Sequence, residues 1–327
     1  MAPSLFRSPV QLPPADALEL SKQAPAILRS FPSTVSSSAI TDLFSAPENP
    51  ELWLTYENLI LSSLRTGDDK AAHGCLARLL ARFGNENERV MALGGLVKEA
   101  EAANNGELER VLKEYDQILS ENDTNIPIMK RRIALLRSMG RLSDAATALV
   151  QLLDFSPTDA EAWSELSDLY FSQGLYPQAI YAEEEVLVLA PNAWNVHARL
   201  GELQYMAATA SGAGGGAYQK QMAEAVKRFS RSIELCDDYL RGYYGLKLVT
   251  GRILKDSAKP TKVTDEGDFL LPDTKTTERL NQLATAKLAE IVRHSSAQDR
   301  GWRGYNPAEV AAARELLSED SSSGVVR

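Results

Sequence analysis

The chain has 327 residues, 44% of them apolar and 24% charged, a balance that builds a globular core. Its formal net charge of -9 at pH 7 argues against nucleic acid as the main partner, because phosphate binding needs a concentrated positive surface. The longest unbroken apolar run, Val186 to Ala190, falls far short of the ~20 residues of a membrane-crossing helix.

The opening stretch, "MAPSLFRSPVQLPPADALEL", has neither the basic start nor the apolar centre of a secretory signal, so the protein is expected to be made in the cytosol and to stay there. Residues 1–14 are Pro-rich and are expected to be a flexible N-terminus, while Ala15 to Ser30 and Pro50 to Leu64 read as helices. Cys75 and Cys236 each sit inside an amphipathic pattern and read as small hydrophobes of a reducing compartment, not a disulfide. His73, His197 and His294 have no Cys, Asp or Glu at ligand spacing, which predicts no metal site.

Further along, the sequence repeats. Gly106, Gly140 and Gly174 are 34 residues apart, and Val111, Ala145 and Ala179 follow them at five residues. Asp123, Pro157 and Pro191 follow at seventeen. Gly67, Ala72, Leu76 and Leu79 mark a related earlier unit. Apolar positions recur at three and four residues on both sides of each glycine, which predicts pairs of antiparallel helices with the glycine at the turn. In the fourth unit Trp163, Leu166 and Tyr170 share one face of the first helix. Ala179 on the second helix is small where two helices meet; overpacking it should cost ~1–3 kcal/mol, and Trp163→Ala ~3–5 kcal/mol.

This arrangement resembles the tetratricopeptide repeat, with Trp163, Leu166, Tyr170, Ala179 and Pro191 at motif positions and Ser167, Glu183 and Val186 departing from it. The expected fold is all-α: a tetratricopeptide-repeat α-solenoid, a right-handed superhelix of antiparallel helix pairs with terminal capping helices. Repeats are expected near 50–83, 92–125, 126–159, 160–193 and 194–238 within one solenoid over 15–295. In the fifth unit the run "AATASGAGGGAYQK" delays the second helix and reads as a flexible Gly-rich insertion at 208–218. Capping helices are expected over 239–295, joined by the polar stretch "DSAKPTKVTDEGDFLLPDT", then a short helix and a disordered tail over 296–327.

Chemistry is not legible in this pattern. "GAGGGAY" has no strand before it and no Lys-Ser or Lys-Thr after it, no nucleophile elbow occurs, and no Cys pairs with a His. No catalytic residue and no cofactor are expected. Charge is more informative, because no Lys or Arg occurs from Leu142 to Ala198, an interval with nine Asp and Glu. Lys130, Arg131 and Arg132 precede this belt, and residues 217–262 hold ten Lys or Arg against five Asp or Glu. Glu161, Glu165 and Asp168, spaced by four and three on one helix, are candidates for a surface that receives a basic partner segment.

Three strings, "LWLTYENLILSSLRTGDDKAAHGCLARLLARFG", "LKEYDQILSENDTNIPIMKRRIALLRSMGR" and "DAEAWSELSDLYFSQGLYPQAIYAEEEVLVLAP", resemble in order and spacing the family of subunit 2 of the endoplasmic reticulum membrane protein complex. The resemblance runs from about Pro50 to Leu254. It implies a non-catalytic scaffold on the cytoplasmic face of the endoplasmic reticulum, part of a hetero-oligomer that inserts transmembrane segments, tail anchors included. Its implied partners are cytosolic segments of the membrane subunits and a globular cytosolic subunit, with no nucleic acid and no membrane span of its own. The alternative is a chaperone adaptor that grips the acidic C-terminal peptide of a heat-shock chaperone through Lys130 and Arg131. Glu165 and Asp168 stand where such a clamp needs positive or amide groups.

Overall fold

Short polar residues set where many of the helices begin. Asp68, Asn87, Asn104, Asn125 and Asp159 each accept a backbone N–H from the first turn of the helix that follows, a cap worth about 1 kcal/mol. The computed structural model describes residues 6, 12–30, 50–212, 215–257, 271–297, 302 and 304–323, and among these it holds fifteen helices and no strand. Most of the expected N-terminal arm, the centre of the polar joint (258–270) and the last four residues lie outside the described residues. The helices pair in chain order as an all-α tetratricopeptide-repeat solenoid, and the chain divides into two compact units, Met1–Phe155 and Ser156–Arg327.

The first unit holds α1 (Pro14–Ser21), α2 (Ala24–Ser30), α3 (Pro50–Thr66), α4 (Asp69–Phe83), α5 (Glu88–Glu101), α6 (Asn105–Glu121), α7 (Ile126–Ser138) and α8 (Leu142–Phe155). Tyr56, Leu59 and Ile60 of α3 close a core over Cys75 and Leu79 of α4 and Val97 of α5. Burial pushes the Cys75 thiol up to about 12, so it behaves as a hydrophobe. At the α7–α8 turn Gly140 takes φ +75°, and Arg141 N–H reaches back to Leu136 O at 2.9 Å, the glycine-terminated helix end that the repeat frame predicts.

Gly106 departs from that frame. It lies in the first turn of α6, behind the Asn104 cap, and the α5–α6 connection is extended at Ala102, which ends α5, and at Asn104. The cap residue, not a left-handed glycine, starts the second helix here. A different glycine carries the packing: a Cβ on Gly95 would stand 2.2 Å from Tyr115 Oη, so α6 can lay this ring on α5 only where no side chain projects.

The second unit holds α9 (Ala160–Ser172), α10 (Tyr176–Leu189), α11 (Trp194–Ser211), α12 (Gly216–Leu235), α13 (Leu240–Ser257), α14 (Thr274–Ala297) and α15 (Pro307–Ser323). Gly174, at φ +73°, ends α9 as Gly140 ends α7, with Leu175 N–H on Tyr170 O at 2.9 Å. Leu166 of α9 and Ala179 and Ala182 of α10 are buried. Phe229 of α12 is sandwiched by two glycines, because a Cβ on Gly201 of α11 or on Gly245 of α13 would come 2.9 or 2.0 Å from its ring.

Two expectations change in this unit. The Gly- and Ala-rich run is mostly helical: α11 continues to Ser211 with Ala208 buried, and α12 starts at Gly216 with Tyr218 buried and its hydroxyl bonded to Asp256. Alanine is the strongest helix former, and the added length packs through Ala208 at the end of α11 and the anchored Tyr218 ring at the start of α12. Only 212–215 separate the two helices, and 213–214 lie outside the described residues. The C-terminal helix is also more than an appendage, since Val310 and Ala313 of α15 are buried in the same core as Leu246 and Leu288.

Candidate functional site

Spacings of four and three along α9 set Glu161, Glu165 and Asp168 on a flank beside the packed face of Leu166. Trp163 is partly buried, its indole N–H donating to Pro157 O at 2.9 Å and its ring meeting Tyr181 edge-on at 6.2 Å. Glu161 and Asp168 are exposed and Glu165 is half-buried. Asp168 is not a bare charge: it accepts from Arg199 Nη2 at 2.8 Å. Arg199 also donates through Nη1 to Glu202 at 2.7 Å and lies 4.7 Å over the Phe171 ring. Two carboxylates and a ring fix this guanidinium, a geometry that favours arginine over lysine.

The three consecutive glutamates of α10 do not share one solvated face. Successive helical residues turn by about 100°, so Glu183 falls four after Ala179 and four before Leu187, on the packed side. It is 2% exposed. Burial pushes its carboxyl up to about 7, against the pull of Ser167 and Arg199, and its Oε2 has no hydrogen-bond partner among protein atoms. Ser167, fully buried, donates its hydroxyl to Ala179 O at 2.9 Å and so ties α9 to α10. The two polar departures from the repeat motif are thus interior residues. Glu184 and Glu185 stay partly exposed, and Glu184 accepts from Arg228 at 3.1 Å.

The basic candidates belong to the first unit. Lys130 on α7 is half-buried, and Arg131 grips Glu99 with two hydrogen bonds while Tyr115 donates to the same carboxylate at 2.5 Å. Arg132 is paired with Asp116 at 2.6 Å. A clamp for a partner's carboxylate therefore loses Arg131, whose guanidinium is already engaged within the unit. These residues and the α9 flank lie in different compact units.

Counter-charges for the belt come from outside it, two from its borders and one from α12. Arg141 pairs with Asp144 in the first unit, and Arg199 and Arg228 pair with Asp168 and Glu184 in the second. Reading the sequence missed Arg199 and Arg228, which stand 31 and 44 residues from their acids; the available signal was that Arg199 immediately follows the interval lacking positive charge. Among the described residues no group of three His, Cys, Asp or Glu is placed to hold a metal ion, and no helix is long and apolar enough to cross a membrane.

Comparison with known proteins gives a consistent picture. Residues 84–213 match the family described as the EMC2 TPR-like repeat domain. The chain is 32% identical over 242 residues to TPR repeat protein oca3 of Schizosaccharomyces pombe, spanning 72% of this chain and 82% of that protein. With ER membrane protein complex subunit 2-A of Xenopus laevis it shares 31% identity over 218 residues, 65% of this chain and 68% of the relative. Among solved structures, the C-terminal part of a TPR repeat-containing protein from Cytophaga hutchinsonii aligns at a TM-score of 0.49 and 13% identity, covering 91% of this chain and 98% of that one.

Proposed function

The chain belongs to the family of ER membrane protein complex subunit 2, and from that premise we propose that it holds cytosolic segments of the other subunits of that complex. In this reading it is a peripheral scaffold on the cytoplasmic face of the endoplasmic reticulum, supporting insertion of transmembrane segments and tail anchors. The family is one of non-catalytic repeat scaffolds. The observation that carries the reading is the match over residues 84–213, which takes in α5 to α11 and with them the acidic flank of α9. Carboxylates on a helix face, within an interval that has no Lys or Arg, attract a basic segment and repel an anionic surface.

Co-purification from detergent-solubilised membranes tests this. The paired substitution Glu161→Lys with Glu165→Lys should lower recovery of the membrane subunits and leave the melting temperature unchanged, because neither carboxylate lies in the core. Undiminished recovery would remove the α9 flank from the reading. Recovery of a heat-shock chaperone with no membrane subunit would overturn the scaffold assignment.

A further inference from the structure

A cleft of about 380 Å³ opens in the second unit between α11, α13 and α15. Its floor is Phe229, enclosed by Gly201 and Gly245, and its walls include Tyr205 and Met206 of α11, Tyr239 just before α13, Tyr244 and Leu248 of α13, and Ala312 of α15. Pockets for small molecules run from about 300 to 1,000 Å³ and are largely pre-formed. This cleft has the size and, because glycines on both sides hold the Phe229 ring, a fixed floor.

Charge does not select an occupant here. The charged residues that line the cleft are Arg199, Glu202, Arg241 and Glu309, and they pair with one another: Arg199 donates to Glu202 at 2.7 Å and Arg241 to Glu309 at 3.0 and 2.7 Å. A charged guest would therefore lose its water without meeting a free counter-charge. The phenols do select. Six tyrosines pack in this core. Tyr218, Tyr243 and Tyr305 do not line the cleft, and they donate their hydroxyls to the Asp256 carboxylate, the Asp237 carboxylate and Asp238 O. Tyr205, Tyr239 and Tyr244 do line it, and their hydroxyls have no acceptor among the described residues. Burial raises the phenols of Tyr239 and Tyr244 above the ordinary tyrosine range, so both stay protonated donors at neutral pH. Phenolic donors around an aromatic floor suit a hydrogen-bond acceptor carried on rings. An apolar side chain from a protein partner would instead dry these hydroxyls and leave them unpaired, which costs more than a made bond returns.

We propose that the cleft between α11, α13 and α15 is a small-molecule site for an uncharged, ring-containing carbonyl compound, its rings against Phe229, Met206 and Leu248 and its oxygen accepting from the phenols of Tyr205, Tyr239 or Tyr244. Most of the lining lies beyond residue 213, where the family match ends. The site does not rest on the scaffold reading.

The test uses the purified full chain with benzophenone, an uncharged ketone, and with diphenylmethane, which keeps both rings and lacks the oxygen. Ligand-observed NMR titration should find benzophenone bound about fivefold more tightly than diphenylmethane. Combining Tyr205→Phe, Tyr239→Phe and Tyr244→Phe should erase that preference and leave diphenylmethane binding as before. Under irradiation benzophenone should form adducts on Met206, Tyr244 or Leu248. Ala312→Trp, which fills the cleft from a partly exposed position on α15, should cut that labelling about tenfold or more. It keeps the test decisive if the triple substitution unfolds the unit. Equal binding of the two compounds, tighter binding of the carboxylated or aminomethylated analogue of benzophenone, or labelling that Ala312→Trp leaves unchanged would each overturn the assignment. None of these measurements uses the complex, so their failure leaves the scaffold reading to stand or fall on the co-purification with Glu161→Lys and Glu165→Lys.

Discussion

Two aromatic rings, one in each unit, solve the same packing problem with different chemistry. Tyr115 lies on Gly95 and Phe229 lies between Gly201 and Gly245, in each case where a Cβ would collide with the ring. Tyr115 is tethered at its far end, its hydroxyl on Glu99 and Glu99 on Arg131. Phe229 has no tether, and its orientation comes from being enclosed on both faces. The glycine slot therefore sets how close the helices come, while the polar network sets how firmly a single ring is held. Interior charge is likewise handled in two ways: Glu99 in the first unit is matched by arginine, and Glu183 in the second has its carboxyl raised by burial.

Cutting the untethered ring should have the largest effect. Phe229→Ala is expected to cost about 4 kcal/mol, since it leaves a cavity between two helices that cannot collapse onto it; urea unfolding gives the loss, and hydrogen exchange should rise in α11 to α13 and not in α3 to α5. A loss under about 1 kcal/mol would mean that the slot is not the keystone of the second unit.

Filling the slots sharpens the contrast. Gly245→Ala should destabilise by about 3 kcal/mol despite a helix-propensity gain of about 1 kcal/mol, because Phe229 is blocked on its other side by α11. Gly95→Ala should cost less, about 1–2 kcal/mol, since the methyl meets the hydroxyl end of Tyr115, which can swing away at the expense of one hydrogen bond. Equal costs at the two sites, measured by the same unfolding titration, would show that the tethered ring is as unable to yield as the enclosed one.

Glu183 supplies a pH-dependent difference. Its folded pKa, about 7, lies above its ordinary 4.5, so the neutral carboxyl favours the folded state fully below the unfolded pKa. That contribution is lost as pH rises from 4.5 to 7. Glu183→Gln lacks this titration, and its stability relative to the unsubstituted chain should climb by on the order of 2–3 kcal/mol across that window. Parallel stability curves for the two proteins would place Glu183 in a polar environment instead. The smallest effect is expected for Tyr115→Phe, about 1 kcal/mol, because Glu99 keeps Arg131 when the phenol is lost; a change well above that would make the hydroxyl the centre of the network.

The repeat was legible because it is a local property. A glycine every 34 residues and apolar residues at three and four act through their own turn, so α7 to α10 could be drawn from the letters. Gly106 shows where that reasoning ends, since the same letter in the same frame sits inside α6 and leaves the cap to Asn104. The Gly- and Ala-rich run failed for a related reason: composition alone reads as a loop, but Ala208 and Tyr218 find burial that favours helix. Of the candidate surface, the spacing of Glu161, Glu165 and Asp168 was readable, whereas the guanidinium that meets Asp168 was not.

By itself the sequence determined the helix pairs, the glycine-ended turns at Gly140 and Gly174, the interval without positive charge and the family to which the chain belongs. Only the tertiary structure decided that Glu183 is interior, that Arg199 and Arg228 reach back to the acids of α9 and α10, that Arg131 is spent on Glu99, and that α15 completes a cleft over Phe229. The physical reason is range. Periodicity and capping are settled within a turn or two of helix, but pairing and burial depend on which faces of separate helices come together, and that is fixed by the packing of side chains distant in the chain.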